Sequence, residues 1–180
     1  RAQPGLGMMY LGSVLESRGH EVFLRDCAAE GYERQIPLDD QMLLIGESDE
    51  QIADYLKEIR PEFVGITILF SNLAGSGHRI ASLSKRIFPD IPVIVGGNHV
   101  NAKAEEMLQS NPDIDLAMAK ECDFTFAALI EALKSGSEFK TVPGIVYRDG
   151  PRIVRNRGSG MVKTMDDLPF PARHLMNMEK

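Results

Sequence analysis

Val93, Ile94 and Val95 form an unbroken apolar run, closed by Gly96-Gly97 and followed by polar Asn98 and His99. A short run of β-branched residues without polar alternation suits a strand buried on both faces, as inside a parallel sheet. Two glycines at its carboxyl end remove every side chain beyond Cα. They suit either a tight strand-to-helix turn or a ligand lying directly against the backbone. One such pair is explained by the turn alone. Other strands of this chain, however, end in similar small or polar loops.

The rest of the chain alternates between two periods. Met8, Leu11, Val14 and Leu15 recur at helical spacing behind Pro4 and stop at Gly19, which suits a C′ residue. Residues 20–25 read as a strand. Residues 26–47 carry turn markers at Gly31, Pro37 and Asp39-Asp40, and the apolar stretch 42–45 is expected to be buried. Ser48-Asp-Glu-Gln51 fits a capping box, opening a helix with Ile52, Leu56 and Ile59 on one stripe. Residues 63–70 form a second apolar strand, and a helix with Ile80, Leu83 and Ile87 follows. After the 93–97 strand come a helix about residues 102–109, a strand at 114–118 and a helix at 124–134 closed by Gly136. This alternation predicts an α/β fold, a flavodoxin-like (Rossmann-like) doubly wound parallel sheet. Its opening helix has no strand before it, so the first strand is expected upstream of Arg1. Beyond Pro143, Asp149-Gly150 between two β-rich runs predicts a C-terminal hairpin, and Asp166-Asp-Leu-Pro-Phe-Pro171 predicts an extended tail.

The totals exclude several functions. With 180 residues, 43% of them hydrophobic, the chain can bury one real core. A net charge of −6 argues against a general nucleic-acid binder. The locally basic region 140–163, with Arg148, Arg152, Arg155 and Arg157, reads as a solvated face. No secretory leader is expected, and no apolar run approaches the roughly 20 residues of a membrane span. Cys27 and Cys122 lie far apart, which leaves no Cys-x-x-Cys site and no iron–sulfur ligand set. A cytoplasmic location is expected.

Chemistry collects in the loops that leave the strands: Gly5 and Gly7, residues 71–77, 96–101 and 120–125. In a parallel sheet these share one edge, where ligands bind. Gly5-x-Gly7 lacks the third glycine of a dinucleotide fingerprint, since Tyr10 stands there, and no P-loop occurs. A phospho-receiver would need an aspartate where Phe70-Ser71 stands. What remains is Ser71-Asn-Leu73 after one strand and Gly96-Gly97 after the next.

That pair resembles two parts of the cobalamin-binding signature of B12-dependent enzymes. More closely, the whole chain resembles the amino-terminal B12-binding domain of cobalamin-dependent radical-SAM enzymes, a group that includes the anaerobic Mg-protoporphyrin IX monomethyl ester cyclase and many methyltransferases. The matching pieces are Pro4-Gly-Leu-Gly-Met-Met-Tyr-Leu, Arg18-Gly-His-Glu-Val22, Val64-Gly-Ile-Thr67, Val95-Gly-Gly-Asn-His-Val100, Val142-Pro-Gly-Ile-Val-Tyr-Arg-Asp149 and Asp167-Leu-Pro-Phe-Pro-Ala-Arg173.

The resemblance implies a cobalamin-binding α/β domain at 1–141, a β-hairpin extension at 142–163 and a linker at 164–180 toward a C-terminal radical-SAM domain of the same parent chain. It implies cobalamin contacts at Gly5, Leu6, Gly7, Thr67, Ser71, Asn72, Leu73, Gly75, Gly96, Gly97, Asn98, His99, Glu121, Asp123 and Thr125. Gly77 is expected beside Gly75 on the walls of the nucleotide tail. The parent's [4Fe–4S] cluster and S-adenosylmethionine are not expected on this fragment, and neither are catalytic residues. The fragment is thus not expected to be an enzyme alone; the parent is expected to be an oxidoreductase or methyltransferase. The Asp-x-His-x-x-Gly loop that ligates cobalt in B12 mutases is not in this chain, so no metal ligand is assigned. His99 is placed either near the cobalt or in an exposed turn. Lys120 and Cys122 stand where relatives have glycine. An uncovered strand position invites self-association. The rival reading is a non-enzymatic nucleotide-binding or sensory module on the same scaffold.

Overall fold

A capping box and a buried ion pair organise the first part of the chain. The computed structural model describes residues 5–37, 40, 43–158, 162 and 164–177. It divides into two units, one of residues 1–59 with 169–180 and one of residues 60–168. The first holds α1 (Leu6–Ser17), α2 (Cys27–Glu30), β1 (Gln35–Pro37), β2 (Leu43–Ile45) and α3 (Asp49–Ile59). Gly12 of α1 lets Leu24 and Leu175 close in, each 3.3 Å from where a Cβ would stand, and the Ala172 N–H donates to Met9 O at 3.0 Å. At the start of α3 the Ser48 N–H donates to Gln51 Oε1 (2.9 Å) and the Gln51 N–H to Ser48 Oγ (3.3 Å), the predicted reciprocal box. Arg25 donates twice to Glu47, whose side chain is buried, and stacks 4.1 Å above the Tyr55 ring. Pairing both carboxylate oxygens is what makes a buried Glu47 tolerable.

Two expectations fail in this unit. Residues 20–25 form no strand, because a period-2 pattern specifies facing but not a partner, and no ladder reaches them among the described residues. The stretch 42–45 is not buried. Met42 lies outside the described residues, while Leu43 and Ile45 are exposed on the antiparallel ribbon β1–β2. Ribbon pairing satisfies backbone groups, whereas burying side chains requires a second layer.

The second unit contains β3 (Val64–Thr67), α4 (Ala74–Ile87), β4 (Val93–Gly96), α5 (Asn98–Ser110), β5 (Leu116–Met118), α6 (Asp123–Ser135), β6 (Ile145–Asp149) and β7 (Arg152–Arg155). The sheet order is β3-β4-β5-β6-β7, with the first three strands parallel and the last two added antiparallel. Val93, Ile94 and Val95 of β4, which has a parallel strand on either side, are fully buried. Gly77 of α4 packs on Ile68, which shares its parity with Val64 and Ile66. Phe126 of α6 lies over Gly65, on the other parity. Helices therefore cover both faces, the Rossmann-like α/β arrangement expected. The predicted hairpin forms at Asp149-Gly150, but it extends the sheet itself, with Ala117 opposite Val146.

Three boundaries move for physical reasons. The strand expected over 63–70 ends at Thr67 because its partner ends at Gly96; Leu69 and Phe70 emerge into solvent. The helix expected near 102 begins at Asn98, since Gly97 at φ +103° turns the chain at once and the His99 N–H donates to Ile68 O (3.2 Å). Lys103, at φ −131° and ψ 21°, kinks α5 where the expected helix began. Finally, Arg148 is not part of a solvated basic face. Its guanidinium donates to Ile114 O (2.5 Å), Asn111 O (2.8 Å) and Leu108 O, capping the carbonyl end of α5.

Replacing Arg148 with Met removes the guanidinium donor from all three carbonyls, of which Asn111 O keeps only the Ile114 N–H at 3.3 Å. It is expected to cost about 3 kcal/mol, a fall in melting temperature of roughly 6–12 °C by calorimetry for a chain of this size. Gly97→Ala places a Cβ 2.5 Å from Ile68 O at a positive φ. It should cost well over the roughly 1–2 kcal/mol of left-handed strain alone, and Gly150→Ala, at φ +59° in open space, serves as the comparison for that strain.

Candidate functional site

Because β3, β4 and β5 run parallel, their carboxyl ends share one edge of the sheet. Thr67 ends β3 opposite Gly96, and after Ile68 the chain makes a 3-10 turn over Ser71–Leu73 into α4. After β4 it turns at Gly97 into α5. After β5 it passes Lys120, in the left-handed region at φ +69°, and enters α6 through Glu121, Cys122 and Asp123.

Hydrogen bonds tie these exits together. His99 Nδ1 and Ser71 Oγ are 3.0 Å apart, and Asn101 Oδ1 accepts from the Lys120 N–H at 3.1 Å. Ser71 and His99 thus meet directly, two residues beyond Gly97, and Asn101 links α5 to the turn that carries Glu121. Glu121 Oε2 accepts from the Val162 N–H at 3.4 Å. Asn72, Leu73 and Asn98 are exposed on the same exits. Gly5, Leu6 and Gly7 belong to the first unit, where Gly5 O accepts the Met8 and Met9 N–H groups that open α1.

The glycines differ in what their missing side chains leave free. A Cβ on Gly75 would meet nothing within 4 Å, and one on Gly96 only Met118 atoms at 3.9 Å. At Gly97 the space is already filled by the Ile68 backbone, and at Gly77 by Ile68 Cδ1 at 2.2 Å. Open wall therefore exists at Gly75 and Gly96, whereas Gly77 and Gly97 serve internal packing.

Between α4 and α5 lies a cavity of about 260 Å³ lined by Ser71, Ala74, His78, His99, Lys103 and Glu106 among others. His78 Nδ1 is buried there with no hydrogen-bond partner among the described residues. Burial, followed by the nearby His99, holds the His78 imidazole below its ordinary pKa. At the start of α6, Thr125 Oγ1 is likewise buried without a partner among the described residues. Burial pushes the Asp123 carboxyl up, with Glu121 adding, and pushes the Cys122 thiol up to about 12. Cys122 is then a neutral, weakly nucleophilic thiol at physiological pH. Among the described residues no three His, Cys, Asp or Glu side chains cluster as a metal site.

Sequence reasoning missed three participants at this edge. Leu69 and Phe70 were assigned to a buried strand, yet they stand exposed at the rim beside Leu73. The signal was available: the apolar run of β3 outlasts that of β4, which stops at glycine. The third is His78, whose spacing from Ser71 and Ala74 sets all three on one helical face.

The sequence and the fold have counterparts. The B12 binding domain family matches residues 3–130. Cytidylyl-2-hydroxyethylphosphonate methyltransferase of Streptomyces wedmorensis is 34% identical over 198 aligned positions, covering 97% of this chain and 37% of that protein. The anaerobic magnesium-protoporphyrin IX monomethyl ester cyclase of Synechocystis is 27% identical, covering 91% of this chain and 30% of the cyclase. This chain thus spans about a third of either relative. In fold it superposes on the cobalamin-dependent S-adenosylmethionine radical enzyme OxsB with aqua-cobalamin bound, at a TM-score of 0.74 and 21% identity over 95% of this chain and 22% of that one. The radical S-adenosylmethionine methyltransferase TsrM of Kitasatospora setae, with cobalamin and a [4Fe-4S] cluster bound, gives 0.67 and 20% over 87% and 29%. With more than two thirds of its residues matched by the family, the chain belongs to the B12-binding domain family.

Proposed function

We propose that this chain is the cobalamin-holding part of a longer cytoplasmic radical-SAM methyltransferase or oxidoreductase, with the corrinoid set against the strand-exit edge of residues 60–168. One observation carries the assignment: Thr125 Oγ1 is buried without a partner among the described residues, on an edge where Gly75 and Gly96 leave bare, open backbone. Such a hydroxyl is free to bond a polar ligand group or a water, and open glycine walls admit a bulky ligand. The donor set suits a cofactor rich in amides and hydroxyls. Thr67, Ser71 and Thr125 offer hydroxyl groups; Asn98, Glu121 and Asp123 offer partners for amide side chains. Asn72 and Leu73 shape the turn around the ligand.

Bound cobalamin supplies a carrier for a methyl group or an electron, and the protein supplies its placement. Ser71 orients the His99 ring through Nδ1. We assign no cobalt ligand. In this reading 1–141 is the cofactor domain, 142–163 the hairpin and 164–180 the connector to a radical-SAM domain. The coverage of the relatives, about a third of each, supports that division of labour. The [4Fe–4S] cluster and S-adenosylmethionine would belong to the rest of the longer protein.

Titrating the chain with hydroxocobalamin should perturb the visible corrinoid spectrum and saturate at one equivalent. Thr125→Val is expected to weaken binding about tenfold, the worth of one charge-neutral hydrogen bond, without lowering the melting temperature, because it removes a polar atom that has no partner among the described residues. An unperturbed spectrum with a folded chain would instead favour the sensory or nucleotide-binding alternative. A second test uses pH. His78 has a folded pKa below its unfolded value of about 6.5, so the unfolded chain takes up the proton first. Stability is therefore complete above that value and declines as pH falls through it. Acid melts of His78→Gln should show a flatter profile between pH 7 and 5.

A further inference from the structure

The basic region 140–163 is only partly accounted for by packing. Arg148 caps α5, and Arg155 is held bidentately by Glu105 at 2.6 and 2.7 Å. Arg155 nevertheless lines, together with Arg157, a second cavity of about 260 Å³ at the strand-exit edge, with Lys120, Ala119, Gly144, Asn156 and Gly158. Neither Lys120 nor Arg157 forms an ion pair with a carboxylate among the described residues. Asn156 is pinned there by donating to Val142 O at 2.8 Å and to Lys140 O. Lys120 also holds a left-handed backbone, φ +69°, that glycine adopts freely and lysine adopts under strain.

We propose that this cavity is an oxyanion site for a phosphoryl or phosphonyl group. Two cations without a carboxylate partner among the described residues match the charge of about −1.5 to −2 on a terminal phosphoryl or phosphonyl group at neutral pH, and they also suffice for the single negative charge of a phosphodiester. The Arg157 fork and the Lys120 ammonium are the donors suited to its oxygens, and Gly144 and Gly158 keep the wall bare. The volume falls just short of the roughly 300 Å³ at which whole small-molecule sites begin, so the site takes a head group and not a complete ligand. The group belongs either to a substrate or to the phosphodiester of cobalamin itself. The site does not rest on the corrinoid assignment, since its probe is tested without cobalamin.

Inorganic pyrophosphate is titrated into the full chain by calorimetry at low salt, then again with saturating hydroxocobalamin. Lys120→Gly and Arg157→Gln are each expected to weaken binding about tenfold, and the double variant to abolish it. Arg152→Gln, at the other end of β7, should leave it unchanged. Glycine suits the backbone at 120, so the melting temperature of Lys120→Gly should not fall. Competition by cobalamin names the cofactor's phosphodiester as the occupant, and additive binding names a substrate group; both keep the site. No measurable heat, or an equal loss with Arg152→Gln, overturns it, the latter by showing only diffuse surface charge.

Discussion

Ile68 is the residue on which the strand-exit edge depends. Its N–H donates to Gly96 O at 2.8 Å, its carbonyl accepts the His99 N–H, its side chain fills the space left by Gly77, and its backbone presses against Gly97. These contacts fuse the ends of β3 and β4 with the starts of α4 and α5. They work only if residues 77 and 97 lack a Cβ. The two glycines are thus structural, and their rigidity fixes the neighbouring positions at which Gly96 and Gly75 remain open. A ligand edge made of loops becomes precise when one buried isoleucine holds two of those loops at once.

Polar groups hold the rest of the scaffold by satisfying backbone or paired charge. Arg148 closes the carbonyl end of α5 from the hairpin, and so couples β6 to a helix beside the edge. At the opposite end of the sheet, Lys85 reaches Ile91 O and Asp115, both at 2.8 Å, while Asp115 accepts the Val93 N–H at 2.7 Å. That end is knitted shut by side chains. The strand-exit end keeps buried groups without a partner among the described residues at Thr125 and His78. The asymmetry is what separates a structural end of a parallel sheet from a binding end.

Much of this was legible in the sequence because it depends on local chemistry. The capping box at Ser48, the C′ glycine at Gly136 with φ +69°, the Asp149-Gly150 hairpin and the buried run at Val93 each follow from a few adjacent residues. What was not legible depends on partners distant in the chain. Residues 20–25 have a strand's pattern but no ladder, and β3 is cut short by the length of β4. Arg148 looked like surface charge because its three acceptors are carbonyls 34 to 40 positions earlier. The edge was found by counting small residues after strands. Which glycines face a ligand and which face Ile68 required coordinates.

The sheet of the second unit has one further property. Its five strands stand side by side in the same order in which they occur along the chain. No strand must wait for a distant segment to complete a central slot, as happens in sheets whose order reverses midway. Loop-closure costs therefore stay small at every step, and each new strand adds to a surface already assembled. Such a unit can condense progressively as it leaves the ribosome, its strand-exit edge taking shape strand by strand.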